Sequence, residues 1–222
     1  PSVGAAVLDR LWAQAAPERG SLDDVVAEAK RLVVDDVQAA EVDRLMRLVR
    51  RILPDLDQGS ARRALEALLV AMDRYRAYVV PGRAVDPEQA AVIEAAAGRA
   101  RAHLAPTDEP ALGVIVDLVL DRDLRDAALD TGPLADDFRV RFQQTCGPVM
   151  AKGIEDTAYY RWFRLAGANE VGGHPDHLSI SAEEFHTWCG RLVASWPTSM
   201  TTLTTHDTKR SEDVRARLMS LA

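Results

Sequence analysis

The stretch Met200–Leu218, MTTLTTHDTKRSEDVRARL, decides how the rest of the chain is read. In its first part, Met200 and Leu203 alternate with β-branched threonines, which predicts a short half-buried β-strand up to Thr205. Its last part predicts a helix: Ser211 can cap, Asp213 falls in the first turn, and Val214, Leu218 and Leu221 form an apolar stripe. Between them, His206-Asp207-Thr208-Lys209-Arg210 places an imidazole, a carboxylate and two cations within five residues. A polar cluster past a strand and ahead of a helix is where β/α enzymes hold their chemistry. The same residues also read as a charged loop on a domain rim.

Working backwards, the texture changes at Cys146-Gly147-Pro148, where Val149-Met150-Ala151 reads as a second short strand before Lys152-Gly153-Ile154-Glu155-Asp156. An aromatic helix comes next (Tyr159, Tyr160, Trp162, Phe163), then the turn-rich Asn169-Glu170-Val171-Gly172-Gly173-His174-Pro175. Ser181-x-x-Glu184 is a capping box that opens a helix expected to turn Phe185, Trp188 and Leu192 inward and to end at Pro197. Strand, helices, strand, helix is the rhythm of a parallel sheet. In such a unit the carboxyl ends of successive strands share one face, so Lys152, Glu155 and Asp156 are expected beside His206, Asp207, Lys209 and Arg210.

From residue 1 to about residue 144 nearly everything predicts helix. Leu45, Leu48, Val49 and Ile52 keep helical spacing, with Arg44, Arg47, Arg50 and Arg51 on the opposite face. Leu65, Leu68, Leu69, Met72, Tyr75 and Val79 read as one side of the next helix, Met72 and Tyr75 as core. Asp86-Pro87-Glu88-Gln89 is a helix start in which Gln89 is placed to cap in return, and the alanine-rich helix after it favours close packing. Thr107 opens a helix with Leu112, Ile115, Val116 and Val119 on one face, and a further one carries Leu134, Phe138 and Phe142. The expectation is a mainly α chain. Residues 1–144 form a helical subdomain, and residues 145–222 form a β/α segment of about two parallel strands with flanking helices.

Composition narrows the function classes. With 47% hydrophobic and 27% charged residues the chain is globular, and a net charge of −7 argues against nucleic acid or an anionic membrane as partner. Two cysteines without tight spacing make no disulfide framework, and a cytoplasmic setting fits them best. The chain starts at Pro1 and stops about three turns into the last helix, so a piece of a longer enzyme is expected. His174 and His177, with Glu170 nearby, are a weak metal alternative, because a Gly- and Pro-rich loop holds no rigid ligand set. Cys146 has no histidine placed to activate it, and neither Gly-x-Ser-x-Gly nor a phosphate-cradling glycine loop occurs. An aspartate beside a histidine and cations, near aromatics, suits carbohydrate chemistry: sugars offer hydroxyls to charged groups and flat C–H faces to rings, and glycosyl transfer needs carboxylates.

FQQTCGPVMAKGIEDTAYYRWFRLAGANEVGGHPDHLSISAEEFHTW and WPTSMTTLTTHDTKRSEDVRARL, running almost continuously from Phe142 to Leu218, closely resemble glycoside hydrolase family 13. AKGIEDTAYYR and THDTKRSEDVRAR point within it to the branch that rearranges the reducing end of maltooligosaccharides, and AEVDRLMRLVRRI and YRAYV resemble that branch's helical insertion. The resemblance implies a (β/α)8 barrel, here partial, and a (1->4)-alpha-D-glucan 1-alpha-D-glucosylmutase activity in trehalose biosynthesis: a retaining double displacement that moves the terminal linkage from α-1,4 to α-1,1. It implies that Asp207 is the third catalytic carboxylate and that His206 contacts the sugar. Lys152, Glu155, Asp156, Lys209 and Arg210 match motif residues taken as substrate-site candidates. The expected partners are a maltooligosaccharide and the remainder of the same enzyme chain, with no metal and no cofactor. No segment matches the family's nucleophile or acid/base, so the chain alone is expected to be inactive. An amylase-type hydrolase, and a non-catalytic helical module binding through the Arg44–Arg51 face, are the alternatives.

Overall fold

A computed structural model describes residues 3–122 and 132–221. Its helices are α1 (Val3–Ala15), α2 (Leu22–Leu32), α3 (Ala39–Ile52), α4 (Gln58–Ala71), α5 (Pro87–Arg101), α6 (Glu109–Val119), α7 (Gly132–Met150), the short α8 (Tyr159–Arg161), α9 (Ala182–Ser195) and α10 (Glu212–Met219). Wider π-type turns cover Val33–Val37 and Ala151–Ala158. The chain divides into two bodies, one of residues 26–157 and one of residues 1–25 with 158–222.

The larger body is built around α4, which packs on α3, α5, α6 and α7. Its Ala61, Ala64, Leu65, Leu68 and Leu69 are wholly buried, and each leucine contributes about 2 kcal/mol through area removed from water. Leu45, Leu48, Val49 and Ile52 are buried as their spacing predicts, and Arg44, Arg47, Arg50 and Arg51 face solvent. Ala96, Ala97 and Ala100 of α5 are buried, and such small residues let helices approach closely. Asp86 caps α5 by accepting from the Glu88 N–H at 2.8 Å. Gln89 does not return the cap; its Oε1 accepts from the Tyr78 N–H at 3.0 Å.

The predicted helix through Val79 stops instead at Ala71. Met72 and Val79 are still buried, but Tyr75 is half exposed and lies outside the core. The irregular segment beyond α4 satisfies its backbone through a side chain. Gln143 accepts from the Val79 N–H at 3.1 Å and donates to the Val79 carbonyl at 2.7 Å, standing in for a neighbouring strand.

The two predicted strands are corrected: among the described residues there is no strand. Val149 and Met150 are the last turn of α7, where Phe138, Phe142, Cys146 and Val149 form one buried helical stripe. The change of texture at Cys146-Gly147-Pro148 falls inside the helix, which carries Pro148 within it. Proline leaves the Gln144 carbonyl without its usual donor, and the ladder widens into the π turn beyond it. Helix α7 thus runs through residues 144 and 145. Met200–Thr205 is irregular, with Met200 and Leu203 exposed; a strand needs a ladder partner, and none lies among the described residues.

In the second body, Leu22, Val25, Tyr159, Trp162 and Leu165 are buried. Trp12 of α1 packs edge-on against Trp162, with ring centroids 5.8 Å apart, and Arg164 pairs with Asp9 and Asp176. Ser181 and Glu184 form both arms of the expected capping box, at 3.1 and 2.7 Å. The inward face expected for α9 is corrected: Phe185 and Trp188 are about half exposed.

Candidate functional site

The first group of predicted residues sits on the π turn of the larger body. Lys152 Nζ donates to Asp156 Oδ2 at 2.7 Å. Glu155 Oε1 accepts from the Tyr75 hydroxyl at 2.7 Å, so the tyrosine displaced from the core is a partner of a site candidate. Gly153 makes this placement possible, because a Cβ there would lie 2.7 Å from Lys30 Cγ and 3.1 Å from Lys30 Cα. Lys30 is itself buried and donates to the Met72 carbonyl, just ahead of the segment bearing Tyr75. Burial depresses its ammonium to about 8, although Asp73 opposes the shift.

The second group belongs to the other body and is built on a turn closed by a threonine. Thr208 Oγ1 donates to the Thr205 carbonyl at 2.8 Å and accepts from the Thr205 N–H at 3.2 Å, leaving His206 and Asp207 exposed at the tip. Nδ1 of His206 is 3.5 Å from Asp207 Oδ1. Behind the turn, the Thr204 hydroxyl accepts from the Glu212 N–H at 3.0 Å, tying its entry to the start of α10. Ser211 stands at the helix start as predicted, but its hydroxyl donates to Asp213 instead of capping.

The residue that organises this group is Glu170, to which the sequence pattern assigns no role here. Glu170 is buried, and its Oε1 accepts the backbone N–H groups of Lys209 at 2.6 Å and Val171 at 3.0 Å. Its Oε2 accepts the Arg210 N–H at 3.3 Å and lies 3.9 Å from Arg215 Nε. Next to it, Asn169 donates to the carbonyls of Trp162 at 2.7 Å and Tyr159 at 3.2 Å, and its own carbonyl accepts from Arg210 Nη1 at 3.1 Å. The glycine pair shapes the hairpin-like bend. Gly172 has φ +70°, in the left-handed region, and at Gly173 a Cβ would meet the Glu170 carbonyl oxygen at 2.9 Å. The Tyr159 hydroxyl closes the bend by donating to the Gly173 carbonyl at 2.7 Å. Lys209 Nζ lies 5.6 Å from the centroid of the exposed Tyr160 ring.

Lys152, Glu155 and Asp156 are therefore gathered by one body and His206, Asp207, Lys209 and Arg210 by the other. The His174 and His177 rings are 4.7 Å apart, but no group of three or more metal-binding side chains occurs among the described residues. Glu170 is engaged with backbone donors. Cys146 is buried and burial pushes its thiol up to about 12, the opposite of what an attacking thiolate needs. Among the described residues no helix is long and apolar enough to cross a membrane.

No family model matches the chain. A protein of Mycobacterium tuberculosis named as maltooligosyl trehalose synthase is 35% identical over 215 residues, which is 97% of this chain and 25% of the relative. The structure of maltooligosyltrehalose synthase from Arthrobacter ramosus superposes with a TM-score of 0.80 at 35% identity, covering 100% of this chain and 26% of that one. A Sulfolobus tokodaii structure named for the same enzyme, at 22% identity and a TM-score of 0.66, shares the fold. The chain spans about a quarter of the length of the curated relatives it matches. In sequence and in fold alike, the chain is similar to about a quarter of the maltooligosyl trehalose synthases it matches.

Proposed function

We propose that the chain works as part of an intramolecular glucosyltransferase that shifts the reducing-end glucose of a maltooligosaccharide from an α-1,4 to an α-1,1 linkage. The observation that carries this reading is the 35% identity to maltooligosyl trehalose synthase along nearly the whole chain. In this reading residues 1–144 are a helical insertion and residues 145–222 belong to a (β/α)8 barrel of glycoside hydrolase family 13. Strands at Val149–Ala151 and Met200–Thr205 form no part of it.

Asp207 serves as the third carboxylate, binding sugar hydroxyls and stabilising the oxocarbenium-like transition state. Its exposure at the tip of a closed turn leaves the carboxylate available to a ligand. His206, Lys209 and Arg210, with Lys152, Glu155 and Asp156, are the proposed sugar contacts. Charged groups of this kind fit a polyhydroxylated substrate through charge-assisted hydrogen bonds. The nucleophile and the acid/base come from the remainder of a longer enzyme chain. The exposed Phe185 and Trp188 of α9 support that partner, because a capped amphipathic helix presents its apolar face for cover.

The test is product analysis with maltopentaose. The whole enzyme is expected to yield non-reducing trehalose ends, and Asp207→Asn to lose roughly 10²–10³ of the turnover while staying folded. The 222-residue chain alone is expected to convert none. Near-normal turnover in Asp207→Asn refutes the role of Asp207, and release of free reducing sugars as the main product indicates an amylase-type hydrolase instead.

A further inference from the structure

We infer that Glu170 is a positioning residue for Asp207, acting through the backbone of the loop that bears it; the inference rests on the proposed role of Asp207. The turn from Thr205 to Thr208 is closed by its own threonine, so its shape is local, but nothing in that closure fixes where the turn points. Thr204 ties its entry to α10, and its exit is held through the next two residues. The peptide N–H groups immediately beyond the turn, those of Lys209 and Arg210, both end on the Glu170 carboxylate.

A carboxylate offers about four lone-pair directions, and here three backbone donors converge on two oxygens. Ionised acceptors make the shorter and stronger hydrogen bonds, and the 2.6 Å contact to Lys209 is of that kind. The acceptor is itself held. Asn169 is pinned to the carbonyls of Tyr159 and Trp162, Gly173 donates to the Glu170 carbonyl at 2.8 Å, and the Ala166–Ala168 turn is packed under Leu218 and Met219 of α10. Asp207 is thus two peptides from an anchor seated in the buried part of the body. A loop tip carrying an exposed catalytic carboxylate gains from such an anchor, because reacting geometry tolerates little displacement.

The experiment has two arms. In the 222-residue chain, amide hydrogen exchange at Lys209 and Arg210 is measured in the wild type, Glu170→Ala and the nearly isosteric Glu170→Gln. Glu170→Ala is expected to speed both by more than about 10-fold while α3 and α4 amides keep their protection, and Glu170→Gln, which retains one carbonyl acceptor, is expected to lie between. In the whole enzyme, Glu170→Ala is expected to lower kcat by about 10²-fold with KM changed less than about 3-fold, and Glu170→Gln to recover part of it. On an Asp207→Asn background the further loss from Glu170→Ala is expected to be under about 3-fold, since both act through one carboxylate. Unchanged exchange at Lys209 and Arg210 overturns the clasp itself. Fully additive losses overturn its link to Asp207. Normal turnover in Asp207→Asn overturns the reading of Asp207, while the exchange arm still reports on the clasp.

Discussion

Arg63 grips Asp108 through two parallel bonds, Nε to Oδ2 and Nη2 to Oδ1, each 2.8 Å long. The pair joins α4 to the turn ahead of α6, and hydrogen bonding to the guanidinium holds the Asp108 carboxyl down to about 2. A carboxyl depressed in the folded state contributes stability above its unfolded value. That contribution is lost as pH falls from about 4 towards about 2. Asp108→Asn is expected to lower the urea midpoint at pH 6, and the gap to the wild type should narrow steadily below pH 4. A gap independent of pH would contradict this.

Lys30 gives the opposite signature at high pH. Its folded value is about 8 against 10.5 in the open, so between those values the unfolded chain binds the extra proton and stability rises with pH. The full swing is about 3 kcal/mol. Cys146, pushed up from 9.0 to about 12, opposes it above pH 9, where the unfolded thiol has already lost its proton. The stability difference between the wild type and Lys30→Met is therefore the quantity to follow, and it is expected to grow in favour of the wild type from pH 8 to 10.5. A flat difference would show that the lysine is hydrated.

Gly153→Ala tests the approach that sets the Lys152–Asp156 turn. Elsewhere in a helix the change would gain about 1 kcal/mol. Here the new methyl meets Lys30 Cγ at 2.7 Å and the Lys30 backbone at 3.1 and 3.3 Å, so a net loss of about 1–3 kcal/mol is expected. A raised melting temperature would mean that the two segments stand further apart.

The cysteines should separate by reactivity. At pH 8 a thiol reagent is expected to modify Cys189, which is partly exposed, and to spare the buried Cys146 until urea unfolds the larger body. Equal rates in the native chain would contradict the packing of α7.

Much of the chain was legible one element at a time. The Leu45–Ile52 stripe, the Asp86-Pro87 start and the Ser181–Glu184 capping box rest on interactions spanning a few residues, so periodicity and side-chain type suffice. The likeness to maltooligosyl trehalose synthase, too, was read from local wording around Lys152–Asp156 and His206–Arg210. Misreadings arose where a neighbour decides. Gly147-Pro148 looked like a boundary because the cost of proline inside a helix is local, while the burial of Cys146 and Val149 that outweighs it is not. The apolar alternation at Met200–Thr205 suits a strand, but a strand exists only beside another.

What the sequence by itself determined is the helical architecture, the Asp86 cap, the Ser181–Glu184 capping box and the motif that names the candidate carboxylate, since each depends on residues a turn or so apart. Only the tertiary structure decided which groups hold that motif. Glu170 lies 39 residues before Lys209, and Tyr75 lies 80 before Glu155. No spacing rule links such pairs. Their bonds exist because buried carboxylates, hydroxyls and backbone donors must find partners wherever folding brings them.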